Sequence, residues 1–468
     1  MKRLILSITI LAAMLTMAAQ TATPKYIFYF IGDGMGNGHV MSTWYYNRTV
    51  QRMEQPLLMT TFPVAGVCST YSASSPVTDS AAAGTALATG TKTRNNMLGM
   101  SPDTVPLTSV ARHLHDAGFG VGILTTVAAD DATPGAFYAH QPSRKNYYEI
   151  GVEAARSGYE FIAGAGLRGF VDKDGKPTDL RKQFADNDVT IVRGVDTLHN
   201  VDSRRVVLLN TDSVTNWSVP HTIDSIAGQL TLPVMTRECL DHLTRVSPHR
   251  FFMMVEGGNI DYAGHANDGG TVIKEIIKFD EALRIAYDFY MAHPEETLIV
   301  VTADHDTGGM SMGNQYLHYD AHLQHIDAQR ISKDRMSDEV KAMLKSRRTY
   351  TWEDMREYLE RNLGFWTQVP LTEAQTKELH QSFINTFERR DGMEQTALYN
   401  KYPGFVADVF KTLQDICGIG WTTTNHTGNP VHVYACGVGA DRFASFNDNT
   451  QIPAKIMEIV FENDRVTE

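Results

Sequence analysis

Cysteine is scarce in this chain. The four in 468 residues, Cys68, Cys239, Cys417 and Cys436, are widely spaced and form no Cys-x-x-Cys pair, which excludes a zinc ribbon and a thioredoxin-type redox motif. Net positive charge is missing as well: 42 Lys and Arg stand against 54 Asp and Glu, for a formal net charge of −12. Nucleic acid or an anionic membrane would call for a basic surface, so neither is an expected partner. Repeats and low-complexity tracts are absent, and 43% hydrophobic with 21% charged residues is ordinary globular composition rather than extended disorder.

Long hydrophobic runs are missing but for one, Leu4 to Ala19, preceded by Met1-Lys2-Arg3 and followed by Gln20-Thr21-Ala22-Thr23. It is too short and wrongly flanked for a membrane span and has the layout of a secretory signal peptide ending near residue 22. No cysteine follows it closely enough to suggest a lipid anchor. The chain is therefore expected to be exported, periplasmic or extracellular, without a membrane anchor. Export permits disulfides, and Cys417 with Cys436 is the candidate pair, although spacing alone does not assign connectivity.

What is present is a recurring pattern of short, β-rich apolar runs: Tyr26–Ile31, Val121–Thr126, Val206–Leu209, Phe251–Val255, Leu298–Val301 and Val431–Tyr434. Helical patterns such as Val110–Ala117 and Ile273–Ala292 lie between them. Continuous apolar strands alternating with helices predict an α/β fold, doubly wound, with a largely parallel central sheet and helices on both faces. Length alone allows roughly three domains, and one large domain with insertions fits equally well. From about residue 333 to 415 the pattern turns to charged amphipathic helices, Lys333–Arg347, Thr351–Leu363 and Leu371–Phe387, which predicts a helical, cap-like insertion.

Polar residues follow these strands: Gly32-Asp33-Gly34, Asp130-Asp131-Ala132-Thr133, Glu256-Gly257-Gly258 and Ala303-Asp304-His305. Ligands of open α/β sheets bind beyond the carboxyl ends of strands, so these residues are positioned to form one site. Ser80 opens an alanine-rich helix in Asp79-Ser80-Ala81-Ala82-Ala83. It is either a nucleophile placed where a helix N-terminus favours a phosphate dianion or simply an N-cap.

Asp261 and His265, four apart, share a helical face and could reach one metal ion or form a surface pair. Asp304 and His305 could bind one ion only where the strand gives way to a loop, which Gly308-Gly309 permits. His426 precedes the last apolar run and is weak evidence by itself. Arg144, in Pro142-Ser143-Arg144-Lys145, suits a bidentate phosphate clamp but is also compatible with a solvated surface. His318, His322 and His325 have helical spacing but no strand end supports them as a metal site.

Taken together, Ile31-Gly32-Asp33-Gly34-Met35-Gly36, Val77–Ala83, Thr89-Gly90-Thr91-Lys92-Thr93, Asp131-Ala132-Thr133-Pro134, Ser143-Arg144-Lys145, Val255-Glu256-Gly257, Ile260-Asp261, Thr302-Ala303-Asp304-His305 and His426-Thr427-Gly428 resemble, in order, the motifs of the alkaline phosphatase family. The resemblance runs from about Tyr26 to Cys436, excluding the insertion, and makes residues 23–468 a catalytic domain for phosphate monoesters.

The resemblance also implies two zinc ions and one magnesium ion: Asp261, His265 and His426 at the first, Asp33, Asp304 and His305 at the second beside Ser80. Asp33, Thr133 and Glu256 would hold the third, with Asp131 and Tyr262 behind it. By the same resemblance Ser80 would carry a phosphoryl intermediate, Arg144 would grip phosphate oxygens, and the chain could be a homodimer. Two features depart from the family pattern. Tyr262 stands where relatives carry Lys, His or Trp, and the stretch from His305 to His426 is longer than in compact bacterial members.

Two rival readings remain at this stage. A sulfatase would be expected to show a Cys/Ser-x-Pro-x-Arg site, and Cys68-Ser69-Thr70-Tyr71 has neither Pro nor Arg; a phosphodiesterase would not be expected to keep Arg144 with Thr133 and Glu256. A protein that binds phosphate without turnover would be expected to lack a ligand of the set, and none is missing.

Overall fold

Six residues without a charge, Tyr26 to Ile31, form the middle of a sheet whose edge carries the site. The structure, a computed structural model, describes residues 23–211, 217–390 and 392–461; the signal peptide expected over residues 1–22 lies outside them. Ten strands make the main sheet: β1 (Tyr26–Gly32), β2 (Val64–Ser69), β3 (Gly120–Thr125), β4 (Phe161–Gly164), β5 (Thr190–Arg193), β6 (Val206–Leu209), β7 (Phe251–Glu256), β8 (Thr297–Ala303), β9 (Val431–Gly437) and β10 (Ser445–Asp448). Their order is β10-β2-β9-β8-β1-β7-β3-β4-β6-β5.

All pairings are parallel except those of β9, which runs against both β2 and β8. Every residue of β1, β3, β7 and β8 is buried. Because successive side chains of a strand point to opposite faces, burial at every position means that both faces of the sheet are covered. The helix Gly269–Ala292 packs on β1, β8 and the helix Leu232–Val246. The expected α/β architecture is the one observed.

Register decides where the functional residues emerge. Ile31 lies opposite Glu256 on one side and Thr302 on the other, and Thr125 lies opposite Glu256. Asp33, Glu256 and Asp304 thus leave the sheet at one level, and the loop that follows Thr125 leads from the same edge to Asp131. Since β9 is reversed, its amino end lies at that same edge, and His426, five residues before it, joins a site whose other members follow their strands.

The expected helices of the charged segment are present as Lys333–Lys345, Trp352–Leu363 and Glu373–Phe383, the last continuing as a π-turn over Ile384–Arg389. Their starts are set by local chemistry. Ser332 caps the first, while Thr351 with Asp354 and Thr372 with Gln375 form capping boxes at the other two. A small hairpin, Gln395–Thr396 with Lys401–Tyr402, and a further helix, Gly404–Cys417, complete the segment.

The candidate cysteine pair does not form, and the three histidines already set aside as a metal site share no helix. Cys417 and Cys436 are not bonded: all four cysteines are buried and free, Cys417 ending a helix and Cys436 lying inside β9, so each is held by its own apolar surroundings. His318, His322 and His325 do not share an α-helix. His318 has φ 55° and only a 3-10 turn, Leu323–Ala328, follows, so their spacing brings no common face. Among the described residues no helix is long and apolar enough to cross a membrane.

Candidate active site

Ser80 is the first residue of the helix Ser80–Thr89, but it is not the cap. Asp79 takes that role, its carboxylate accepting a hydrogen bond from Ala82 N at 3.0 Å. The serine hydroxyl is thereby left for other use: Ser80 is 1% exposed, and its Oγ lies 3.1 Å from His305 Nε2.

His305 belongs to a set of three. Its Nε2 is 3.3 Å from both Asp33 Oδ1 and Asp304 Oδ2. A second set is built on the short helix Asn259–His265, where Asp261 and His265 meet across one turn. His265 Nε2 is 3.3 Å from Asp261 Oδ1, His426 Nε2 is 3.5 Å from the same oxygen, and the two imidazole nitrogens are 3.0 Å apart. His265 Nδ1 and His426 Nδ1 face the carbonyls of Thr424 at 2.6 Å and Thr78 at 2.8 Å, which aims the opposite nitrogen of each ring at Asp261. The loops close tightly. A Cβ on Gly34, at φ +70°, would fall 2.6 Å from Thr307 Oγ1, and one on Gly36 would fall 1.7 Å from Asp306 Oδ1.

A third group lies beside Asp33. Both carboxylate oxygens of Glu256 and the Oγ1 of Thr133 are buried without a hydrogen-bond partner among the described residues, as are Asp33 Oδ1, Asp261 Oδ2 and Asp304 Oδ2. Unpaired buried oxygens are costly, and here six of them converge on one strand edge. The donor chemistry fits divalent cations: imidazole and carboxylate in the first two sets, oxygen alone in the third.

Electrostatics points the same way. Burial, then the neighbouring carboxylates Asp304, Asp261 and Glu256, push Asp33 well above the usual carboxylate range. Burial likewise raises Glu256 and Asp304. Burial alone would lift Asp261 too, but His265 and His426 hold it below its ordinary value. Burial, followed by the nearby His426, depresses His305. Burial also lowers His265, whereas the Asp261 carboxylate outweighs burial at His426 and raises it. Two imidazoles held neutral, at 265 and 305, beside crowded carboxylates form a pocket whose strain a bound cation would relieve.

Arg144 links Asp131 to Asp79, the residue before the serine. Arg144 Nη2 donates to Asp131 Oδ1 at 3.2 Å, and Arg144 Nη1 lies 3.6 Å from Asp79 Oδ2. The other oxygen of Asp131 accepts from Arg168 Nη2 at 2.8 Å. Arg168, which sequence reasoning missed, also donates to the hydroxyls of Tyr262 at 2.8 Å and Tyr147 at 2.9 Å and lies under the Trp217 ring at 3.8 Å. Asp130 fixes its backbone by accepting from Arg168 N and Gly169 N at 2.9 and 2.7 Å. Neighbouring carboxylates at 130 and 131 thus hold the main chain and the side chain of one arginine. No sequence spacing links Arg168 to this pair; the Asp130-Asp131 doublet was the available signal.

Comparison with known proteins agrees with this geometry. The alkaline phosphatase family profile matches residues 24–172 and 162–462. Alkaline phosphatase 3 of Bacillus subtilis is 28% identical over 463 residues, 95% of this chain and 90% of that one, and the human tissue-nonspecific isozyme of alkaline phosphatase is 29% identical over 341 residues, 61% and 63% of the two chains. Among solved structures, the cold-active alkaline phosphatase from Shewanella sp. superposes with a TM-score of 0.77 at 29% identity, covering 93% of this chain and 99% of that one. The Thermus thermophilus alkaline phosphatase gives 0.76 at 25% identity, covering 94% and 93%.

Proposed function

This chain belongs to the alkaline phosphatase family and hydrolyses phosphate monoesters, and from that premise we propose that Ser80 forms a covalent phosphoserine while Arg144 grips the phosphoryl oxygens. The observation that carries the reading is the buried Ser80 Oγ, 3.1 Å from His305 Nε2 and released from capping by Asp79.

Asp261, His265 and His426 would hold one zinc ion, Asp33, Asp304 and His305 a second, and Asp33, Thr133 and Glu256 a magnesium ion. Bound cations would supply charge neutralisation and polarisation at the oxygens being attacked and expelled. The chain's own groups account for the rest. Ser80 Oγ attacks phosphorus, the bond to the alcohol oxygen breaks on the opposite side, and water then cleaves the phosphoserine, returning the hydroxyl and releasing phosphate. Amide groups at the start of the helix Ser80–Thr89 favour the dianion. Arg144 presents a planar fork that matches two phosphoryl oxygens, and Asp131 orients it.

Small phosphate monoesters are the substrates this site fits. The N-terminal layout supports export to a periplasmic or extracellular location. The test is acid quench after mixing the metal-loaded protein with labelled phosphate at low pH, followed by peptide mapping. Label on the peptide containing Ser80, lost in Ser80→Ala, is expected; label elsewhere, or none, overturns the assignment.

A further inference from the structure

A row of side chains leads away from Ser80. Its hydroxyl meets His305, the His305 ring stacks on His426 with centroids 3.6 Å apart, and His426 touches His265. At the far end, Tyr399 stands edge-on to His265, centroids 5.1 Å apart and planes at 86°. The same ring packs against Tyr262 at 4.3 Å, and Tyr262 is locked by its hydrogen bond from Arg168. Tyr399 is 37% exposed, so part of the ring faces solvent while the rest packs on His265 and Tyr262.

Tyr399 does not come from the sheet. It sits in the loop of the hairpin Gln395–Thr396 with Lys401–Tyr402, and that hairpin is tied on both sides to the helix Lys333–Lys345. Lys333 Nζ donates to Gln395 Oε1 at 2.7 Å, Asn400 Nδ2 and the Tyr402 hydroxyl each donate to Asp334 Oδ1 at 2.8 Å, and Lys341 Nζ donates to Asn400 Oδ1 at 2.8 Å. Anchoring of the flanks leaves the tyrosine ring as the group the hairpin presents.

In-line displacement puts the departing alcohol on the side of phosphorus away from the nucleophile. Ser80 meets His305 of one donor set and Tyr399 meets His265 of the other, so Tyr399 lies beside the set that Ser80 does not touch. We propose that Tyr399, supplied by the helical segment, is the leaving-group platform of this enzyme and biases it towards phosphate esters of phenolic alcohols over aliphatic ones. Offset or edge contact between two aromatic rings is the physical basis, since it adds attraction that an alkyl group does not match. The inference rests on Ser80 as nucleophile, because that choice sets which side the alcohol leaves from.

The test compares Tyr399→Ala and Tyr399→Phe with the parent in the metal-loaded protein. The measurements are kcat/KM for phenyl phosphate and for glycerol phosphate, and inhibition by inorganic phosphate, which has no leaving group. Tyr399→Ala is expected to lower the ratio of phenyl to glycerol ester by roughly two- to tenfold, with phosphate inhibition unmoved and the ratio restored in Tyr399→Phe. An unchanged ratio, or weakened phosphate inhibition, overturns the platform and makes Tyr399 a prop for His265. The acid quench on the parent stands apart: absence of label on Ser80 overturns the nucleophile, whatever the ratio does.

Discussion

His305 lies nearly face to face with His426, ring centroids 3.6 Å apart and planes 22° from parallel. Two imidazolium ions stacked so closely would repel, and the site avoids this by opposite means: burial and the nearby His426 hold His305 in its neutral form, while Asp261 favours the proton on His426. The stack joins the two donor sets, so a change at either ring is felt by both.

Stripping divalent cations is expected to abolish ester hydrolysis and to lower the melting temperature, because Glu256 and one oxygen each of Asp33, Asp304 and Asp261 are then left without a partner in a crowded carboxylate cluster. A ligand at a hundredfold excess over its dissociation constant adds about 2.7 kcal/mol per site. Calorimetry of chelated protein, before and after addition of zinc and magnesium, reads the stability term, and a monoester assay reads the chemistry. Full activity and an unmoved transition after chelation would refute the donor assignments.

Arg144→Ala should cost about 2 kcal/mol in kcat/KM for a phosphate monoester, the range of a charge-assisted hydrogen bond. A methyl diester offers one fewer charged oxygen and should lose less. Equal losses on the two substrates would show that Arg144 does not read the second oxygen.

Arg168→Met removes one partner of a buried pair, since Arg168 and Asp131 are 8% and 4% exposed, and breaking such a pair costs about 3 kcal/mol. Burial lifts the Asp131 carboxyl, but Arg168 and Arg144 together hold it below its ordinary value. A depressed folded pKa contributes stability that is present above the unfolded value, near 4, and is lost as pH falls through the folded one. The difference between wild type and variant should therefore be full at neutral pH and shrink below about pH 4. Urea midpoints at neutral and acid pH check it; a gap that widens on acidification contradicts the pairing.

His221 gives the opposite sign. It is buried between Glu275 at 3.4 Å, on the helix Gly269–Ala292, and Asp334 at 3.3 Å, on the helix Lys333–Lys345. Burial would lower it, yet the hydrogen bond to Asp334 and the neighbouring Glu275 carboxylate raise it well above the ordinary range. Its stabilisation is fully present below the unfolded value of about 6.5 and fades as pH rises through the folded one. His221→Gln should therefore cost most at pH 6 and progressively less in alkaline buffer. Thermal midpoints of both proteins across that range decide it, and a cost that grows with pH would be the wrong sign for a protonated His221.

Much of the architecture was legible because β1, β7 and β8 are unbroken apolar runs, and buried parallel strands have no polar face to interrupt them. Less visible were β2, half-buried and opening on Val64-Ala65-Gly66, and the four-residue β4, β5 and β10, whose pairing depends on neighbours distant in the chain. Candidate ligands could be read where a carboxylate or histidine follows a strand. Arg168 and Tyr399 could not, since the first depends on a loop folding back to Asp131 and the second on where a helix lays down a hairpin. The candidate cysteine pair, which spacing left open, does not form, because Cys417 ends the helix Gly404–Cys417 while Cys436 lies within β9, and nearness in sequence carries no information about where two elements pack.

The reversal of β9 has a consequence in time. Asp33 is among the first residues of the fold to be synthesised, whereas His426 comes only after the whole helical segment. Contacts so far apart in sequence form late, because the loop between them must close before they yield any gain. A nascent chain that has made Ser80 and Arg144 but not β9 has no strand to carry His426 to the donor edge. On the proposed ligand assignment the donor set is complete only near the end of synthesis, and a cut just before His426 would be expected to remove that ligand and the activity while leaving Ser80 in place.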